Sequence, residues 1–269
     1  MINKLYAQIK KTIKEYKFSF MLLIIVLIVL NFPLPYYIDT PGGAMDISTK
    51  VSLENSYKSK GTFNFAYVNE LKATTSLYII SLFNKDWTLI KQENMKYDNE
   101  TIEEMEFRNK IAMEESHDNA IITSYTALGK TVDVKKEHIY ITYIDKKANT
   151  DLKIGDEIIS IDGETVNTKE ELISKIRKYN ENDIVNIEVI RADKKISTKS
   201  KIIKEDGVSL IGAMLSTDKE LETNPKIEIL SEKNESGPSG GHMLSLSIYD
   251  ALTKEDITKG LKIVGTSPD

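Results

Sequence analysis

Residues 235–243 read ESGPSGGHM, a Gly-Pro-Ser-Gly-Gly run that opens onto an apolar stretch. A serine at the start of a helix sits among free backbone N–H groups at the positive end of the helix dipole. Such amides can stabilise an oxyanion, and small neighbours admit a substrate carbonyl. Ser239 is therefore a candidate nucleophile. It is equally a plain helix cap, since serine is a favoured cap residue, and the local residues alone favour the cap. His242 shares its helical face and reads as solvent-facing, while Lys259 and Lys262 lie beyond the helix as the remaining potential bases.

Other chemistries find little material. The chain has 269 residues, 41% hydrophobic and 29% charged, which is ordinary globular composition. A net charge of −5 supplies no basic field for nucleic acid. The absence of cysteine removes disulfides, thiolate catalysis and cysteine metal sites, and three histidines (His117, His138, His242) are too few and scattered for a histidine metal centre. No metal and no cofactor are expected. Residues 124–131, SYTALGKT, end like a phosphate loop but have serine where the first glycine belongs and come after a helical pattern rather than a strand. Glu100, Glu103, Glu104, Glu106, Glu114 and Glu115 fall at helical positions and read as a solvated face.

The elements that must position Ser239 begin at the N-terminus. Residues 18–38 carry no charge and centre on FMLLIIVLIVLNF, and about 20 apolar residues in a helix span a bilayer. The run predicts a transmembrane helix at 18–38. Lys4, Lys10, Lys11, Lys14 and Lys17 place residues 1–17 in the cytoplasm and everything after the span outside the cell membrane. Residues 62–68 alternate as a strand, and Thr101 with Glu104 forms a capping box that starts a helix.

Residues 152–166 read LKIGDEIISIDGETV: a Gly-Asp turn, a β-branched strand, an Asp162-Gly163 hairpin turn and a return strand. Thr168 and Glu171 make a second capping box for an amphipathic helix with Leu172, Ile173 and Ile176, and residues 183–191 alternate as a strand. This order resembles the PDZ domains attached to bacterial proteases, over residues 120–205. The resemblance implies a peptide added as a strand to a sheet edge beside a helix, with backbone amides capturing a C-terminal carboxylate. It implies residues 138–144 as the binding strand, residues 168–179 as the facing helix, and Ile139, Ile141, Leu172 and Ile176 as pocket positions. His138 stands where the carboxylate loop of most relatives has glycine, and reads as an exposed turn residue.

Beyond the PDZ segment, residues 207–214 (GVSLIGAM) and 225–230 (PKIEIL) read as short apolar strands, and Leu244, Ile248 and Leu252 share one helical face. The succession of an apolar N-terminal run, the PDZ phrase, GPSGG and then DITKGLKIVG at 256–265 resembles the PDZ-containing Lon-like serine proteases of bacteria. That resemblance implies a Ser–Lys dyad with Ser239 as nucleophile and its lysine beyond Asp269, in a domain that assembles with copies of itself.

The expected fold is therefore α+β and multi-domain. It comprises an N-terminal transmembrane helix, an extracytoplasmic α/β segment at 39–119, a PDZ domain at 120–205 (a small β-barrel-like sandwich with helices), and an incomplete α/β Lon-type proteolytic domain at 206–269. The expected function is a membrane-anchored serine endopeptidase whose PDZ domain presents protein or peptide substrates. The alternative is a catalytically dead, membrane-anchored PDZ protein that binds peptides.

Overall fold

The computed structural model describes residues 2–232 and 235–266. The first elements are α1 (Ile2–Glu15), α2 (Lys17–Leu30), β1 (Pro33–Asp46), β2 (Val51–Leu53), β3 (Thr62–Thr74), α3 (Thr75–Ser81), β4 (Thr88–Lys91) and α4 (Gln92–Met95). The long helix α5 (Ile102–Ala127) comes next, then β5 (Val132–Ile144), β6 (Glu157–Ile161), β7 (Glu164–Thr165), α6 (Lys169–Ile176), β8 (Ile184–Arg191) and β9 (Lys194–Lys201). The last elements are β10 (Ile203–Glu205), β11 (Val208–Leu210), β12 (Ala213–Thr223), β13 (Ile227–Ile229), a 3-10 turn (Pro238–Gly240), α7 (Gly241–Leu252) and β14 (Lys262–Gly265). Two compact units result, Met1–Gly42 with Val68–Met95, and Gly43–Tyr67 with Lys96–Asp269.

The first unit overturns the predicted transmembrane helix at 18–38. α2 stops at Leu30, and its 14 residues extend about 21 Å, short of a hydrocarbon core of about 30 Å. Among the described residues no helix is long and apolar enough to cross a membrane. The stop has a local cause. Asn31 turns its side-chain amide back onto the Leu27 carbonyl at 2.8 Å. Pro33 then disfavours helical backbone at Phe32 and lacks the N–H that a further turn needs. The apolar residues beyond belong to a strand: Tyr36–Asp39 of β1 pair antiparallel with Lys91–Thr88 of β4, and Ile38 is fully buried.

The second unit is built on two cores. One fills a sheet ordered β12-β5-β6-β8-β9, with β7 hairpinned to β6. Alternation along β8 sends Val185, Ile187 and Val189 inward, each fully buried, where they meet Ile158, Ile161 and Leu172. Asp162 and Gly163, both at positive φ, make the expected hairpin turn. Asp156 of the Gly-Asp turn is fully buried and takes the Arg191 guanidinium bidentately, at 2.6 Å (Nε) and 2.7 Å (Nη2), while its Oδ2 also accepts the Lys153 N–H at 2.8 Å. The second core joins α5 to α7 through Ala120, Ile121, Tyr125, Leu244 and Ile248, with Phe63 and Ile47 beneath.

Residues 206–269, expected as an incomplete Lon-type domain, are shared among other structures. β12 belongs to the PDZ sheet, where it pairs with β5 from Ala213 to Thr223. β13 pairs with β2, β14 runs parallel to Thr62–Phe65 of β3, and α7 rests on α5. The fold is mixed α/β, and the corrected feature is the long-range pairing, which local strand patterns do not encode. SYTALGKT forms the last turn of α5 and its exit, where the Gly129 N–H bonds the Thr126 carbonyl at 2.9 Å.

Candidate functional site

A groove of about 540 Å³ lies between α6 and the start of β12. α6 contributes Lys169, Ile173 and Ile176, with Arg177 at its C-terminal cap, and the opposite wall is Gly212–Leu215. The β10–β11 hairpin closes one end with Leu210 and Ile211. α6 forms here because Thr168 caps it, its Oγ1 accepting the Glu171 N–H at 3.1 Å. Its Leu172 and Ile176 face the core, which leaves Ile173 toward the groove.

β12 lies at the border of the sheet, and its outer edge faces this groove. Gly212, at φ +71°, turns the chain into the strand. Its carbonyl points inward to accept the Asp145 N–H at 2.9 Å, and the neighbouring Ile211 carbonyl accepts from Ser200 Oγ at 3.4 Å. The N–H groups of Ile211 and Gly212 have no acceptor among the described residues. A Cβ on residue 212 would come within 2.6 Å of the Ala148 side chain, so only glycine fits this approach.

Charge at this end is mixed, with Asp145, Glu205, Lys169 and Arg177 among the lining residues. Ser209 Oγ donates to the Tyr179 carbonyl at 2.7 Å and so ties the loop to the C-terminal side of α6, beside Arg177. Glu205 is neutralised by Lys147 at 2.9 Å, and Asp145 accepts the Lys147 N–H at 2.8 Å. Arg177 is exposed and makes no ion pair among the described residues.

The residues expected to line the pocket divide. Ile176 borders the groove. Ile139, Ile141 and Leu172 lie in the core, at 1%, 0% and 0% exposure. β5, expected as the binding strand, is covered along its length by β12 on one side and held by β6 at Ile139 and Tyr140 on the other. His138 is a half-buried strand residue rather than an exposed turn residue, with Nδ1 2.6 Å from Glu157 and Nε2 3.2 Å from Glu220. The groove strand is instead the GVSLIGAM segment, whose signal in the sequence is the Asp206-Gly207 turn and the glycine at 212. Its Val208–Leu210 pair with β10 in a two-stranded sheet, and its last residues, Ala213 and Met214, begin β12 of the larger sheet.

Ser239 lies in the 3-10 turn ahead of α7 and is half-buried. Its hydroxyl has no hydrogen-bond partner among the described residues, Lys259, Lys262 and His242 included. The adjacent glycines have a packing cause. A Cβ on residue 240 would come within 2.7 Å of the Phe65 ring, and one on residue 241 within 2.1 Å of Ser116 Oγ. Ser116 donates to the Pro238 carbonyl at 2.9 Å, which fastens the turn to α5. No cluster that could hold a metal ion occurs among the described residues.

Residues 126–202 match the family described as "PDZ domain", which covers β5 to β9 and α6 and ends before β12. Similar solved structures include the PDZ domain of the SdrC-like protein from Listeria monocytogenes, 26% identical over 31% of this chain and 92% of that one, with a TM-score of 0.28. The corresponding domain from Listeria innocua is 24% identical over 29% of this chain and 92% of that one, also with a TM-score of 0.28. No curated protein matches the chain. By the family match residues 126–202 are a PDZ domain, and that match gives no support to a Lon-type protease.

Proposed function

We propose that this protein binds the C-terminal tail of a partner protein as an added strand on the outer edge of β12. The observation that carries this reading is the pair of unengaged N–H groups at Ile211 and Gly212, at the end of an open strand edge facing an apolar groove. An added strand gains main-chain hydrogen bonds, and successive backbone N–H groups form a concavity suited to a carboxylate. Arg177 supplies a cation beside it, and Ile173, Ile176, Leu210 and Met214 offer apolar contact to the terminal side chain.

The test is titration of the isotope-labelled full chain with an alanine-rich peptide ending in leucine, as the free acid and as the amide. The free acid is expected to shift the amide signals of Gly212 and Leu215, and the amide to bind at least about tenfold more weakly, a loss of about 1.4 kcal/mol. No shift along β12 with either peptide at millimolar concentration removes the reading.

Hydrolysis at Ser239, which the resemblance to Lon-like proteases implies, needs a proton acceptor for Oγ. No described residue hydrogen-bonds Ser239 Oγ, and binding at the groove is the function proposed here. Labelling of Ser239 by a fluorophosphonate probe would reverse that choice.

A further inference from the structure

Between α5 and α7 lies a second cleft, of about 460 Å³, lined by Glu115, Ser116 and Asn119 of α5 and by Gly241, His242 and Ser245 of α7. Glu115 ties this cleft to the groove, because its Oε1 pairs at 2.5 Å with Nζ of Lys169, a groove-lining residue. The pair is one side of a closed polar ring. Thr217, fully buried, donates from Oγ1 to the same Glu115 oxygen at 3.2 Å and accepts from Lys219 Nζ at 2.9 Å. Lys219 Nζ lies 3.8 Å from Glu137 Oε2, and Glu137 Oε1 accepts the Lys169 backbone N–H at 2.8 Å. Beside Glu115, Ser116 Oγ holds the Pro238 carbonyl at 2.9 Å, and the same carbonyl accepts the Gly241 N–H where α7 begins.

We propose that the Lys169–Glu115 ion pair is a conformational link that carries a change at the α6 wall of the groove to the GPSGG turn. Lys169 is the cation paired with Glu115, and once it is withdrawn the carboxylate keeps only the Thr217 hydroxyl among the described residues. A half-buried carboxylate without its cation is costly and turns toward a solvated site. The open side is the cleft that Glu115 already lines, where His242 stands on the facing helix. Glu115 thus has two positions, one on Lys169 and one in the cleft, and a discrete two-position element of this kind is what couples distant sites. Residue 116 moves with residue 115 on the same turn of α5, so the hold of Ser116 on Pro238 loosens when Lys169 leaves. The link goes beyond tail binding and does not depend on it, since substitution of Lys169 alone operates it.

The test reads hydrogen exchange at the Gly241 amide and the amide shifts of Ser116 and His242 in the isotope-labelled full chain. Three variants are compared with the parent: Lys169→Met, Lys175→Met, and Lys169→Met combined with Glu115→Gln. Lys175 is the control, because it also sits on α6 but pairs with Glu164 and Glu171 and not with α5. Lys169→Met is expected to speed Gly241 exchange at least about threefold and to shift Ser116 and His242, while Lys175→Met stays within about 1.5-fold of the parent. The double variant is expected to return to within about 1.5-fold of the parent, because a neutral glutamine needs no cation. Gly241 exchange unchanged in Lys169→Met overturns the link. So does acceleration that persists in the double variant, or acceleration with Ser116 and His242 unshifted, which marks general destabilisation. Should Lys169→Met fail to fold, Lys169→Gln, which keeps a donor for Glu115 without the charge, is read at the same amides with the same outcomes.

Discussion

Asp118 of α5 and Lys219 of β12 are joined by one hydrogen bond, carboxylate to backbone N–H, at 2.7 Å. Burial pushes the Asp118 carboxyl up to about 7, against the lowering effect of that N–H, and Asp218 and Glu114 add to the rise. The folded state therefore holds a proton on Asp118 that the unfolded chain has already released above about pH 4. A group raised in this way stabilises fully below its unfolded pKa, and that contribution is lost as pH rises through about 7. Asp118→Asn keeps an oxygen acceptor and removes the titration. The melting temperature of the parent is expected to fall more steeply between about pH 5 and pH 8 than that of the variant; parallel curves would contradict this assignment.

Gly212 combines a positive φ with a close approach to Ala148. Gly212→Ala is expected to cost about 1–3 kcal/mol, the sum of a left-handed backbone penalty and a small overpacking strain. It should also displace the N–H groups that face the groove, so peptide affinity should fall further than stability does. Urea unfolding and the Leu-ended peptide titration read the two effects separately. A variant with unaltered affinity would show that the loop does not contact ligand.

Much of the PDZ sheet is legible because its signals are local. The Asp162-Gly163 turn, the Thr168 cap and the alternation of β8 each act within a few residues and stand where expected, while Glu171 accepts from the Asn167 N–H rather than closing a capping box on Thr168. The groove is not legible in the same way. Residues 213–223 have the pattern of any strand, and their partner, β5, is about as far away in sequence as the matched PDZ segment is long. Choosing the binding strand requires knowing which strand lies at the border, a property of the assembled sheet. The transmembrane expectation fails for a different reason. Run length and absence of charge favour a span from 18 to 38, while Asn31 and the prolines at 33 and 35 mark a helix end inside it.

The Asp156–Arg191 pair explains why the Gly-Asp phrase occupies its turn. Asp156 is fully buried, and Arg191 supplies both of its charge-assisted contacts. Arg191→Met leaves a buried carboxylate without its cation and is expected to destabilise by about 3 kcal/mol. Adding Asp156→Leu should recover part of that loss, because the pair is then replaced by apolar groups together. Denaturant unfolding of the single and double variants checks the sign. A double variant less stable than Arg191→Met alone would mean that the Lys153 N–H contact, rather than the ion pair, governs the turn.

The GPSGG turn separates packing from chemistry at adjacent positions. Gly241 sits against Ser116 Oγ with no room for a Cβ, and that hydroxyl is already committed to the Pro238 carbonyl. Gly241→Ala must push α7 away from α5 or break the Ser116 bond, at an expected cost of about 1–3 kcal/mol. Ser239 has no such commitment: its hydroxyl has no partner among the described residues. Ser239→Ala should therefore change stability by less than about 0.5 kcal/mol, as an unengaged surface substitution does. It should leave peptide affinity in the α6–β12 groove unchanged. Thermal unfolding and peptide titration of both variants test this. A Ser239→Ala change that lost more than Gly241→Ala, or that abolished turnover of an unfolded protein substrate, would make the serine the reason for the motif and the glycines its accessories.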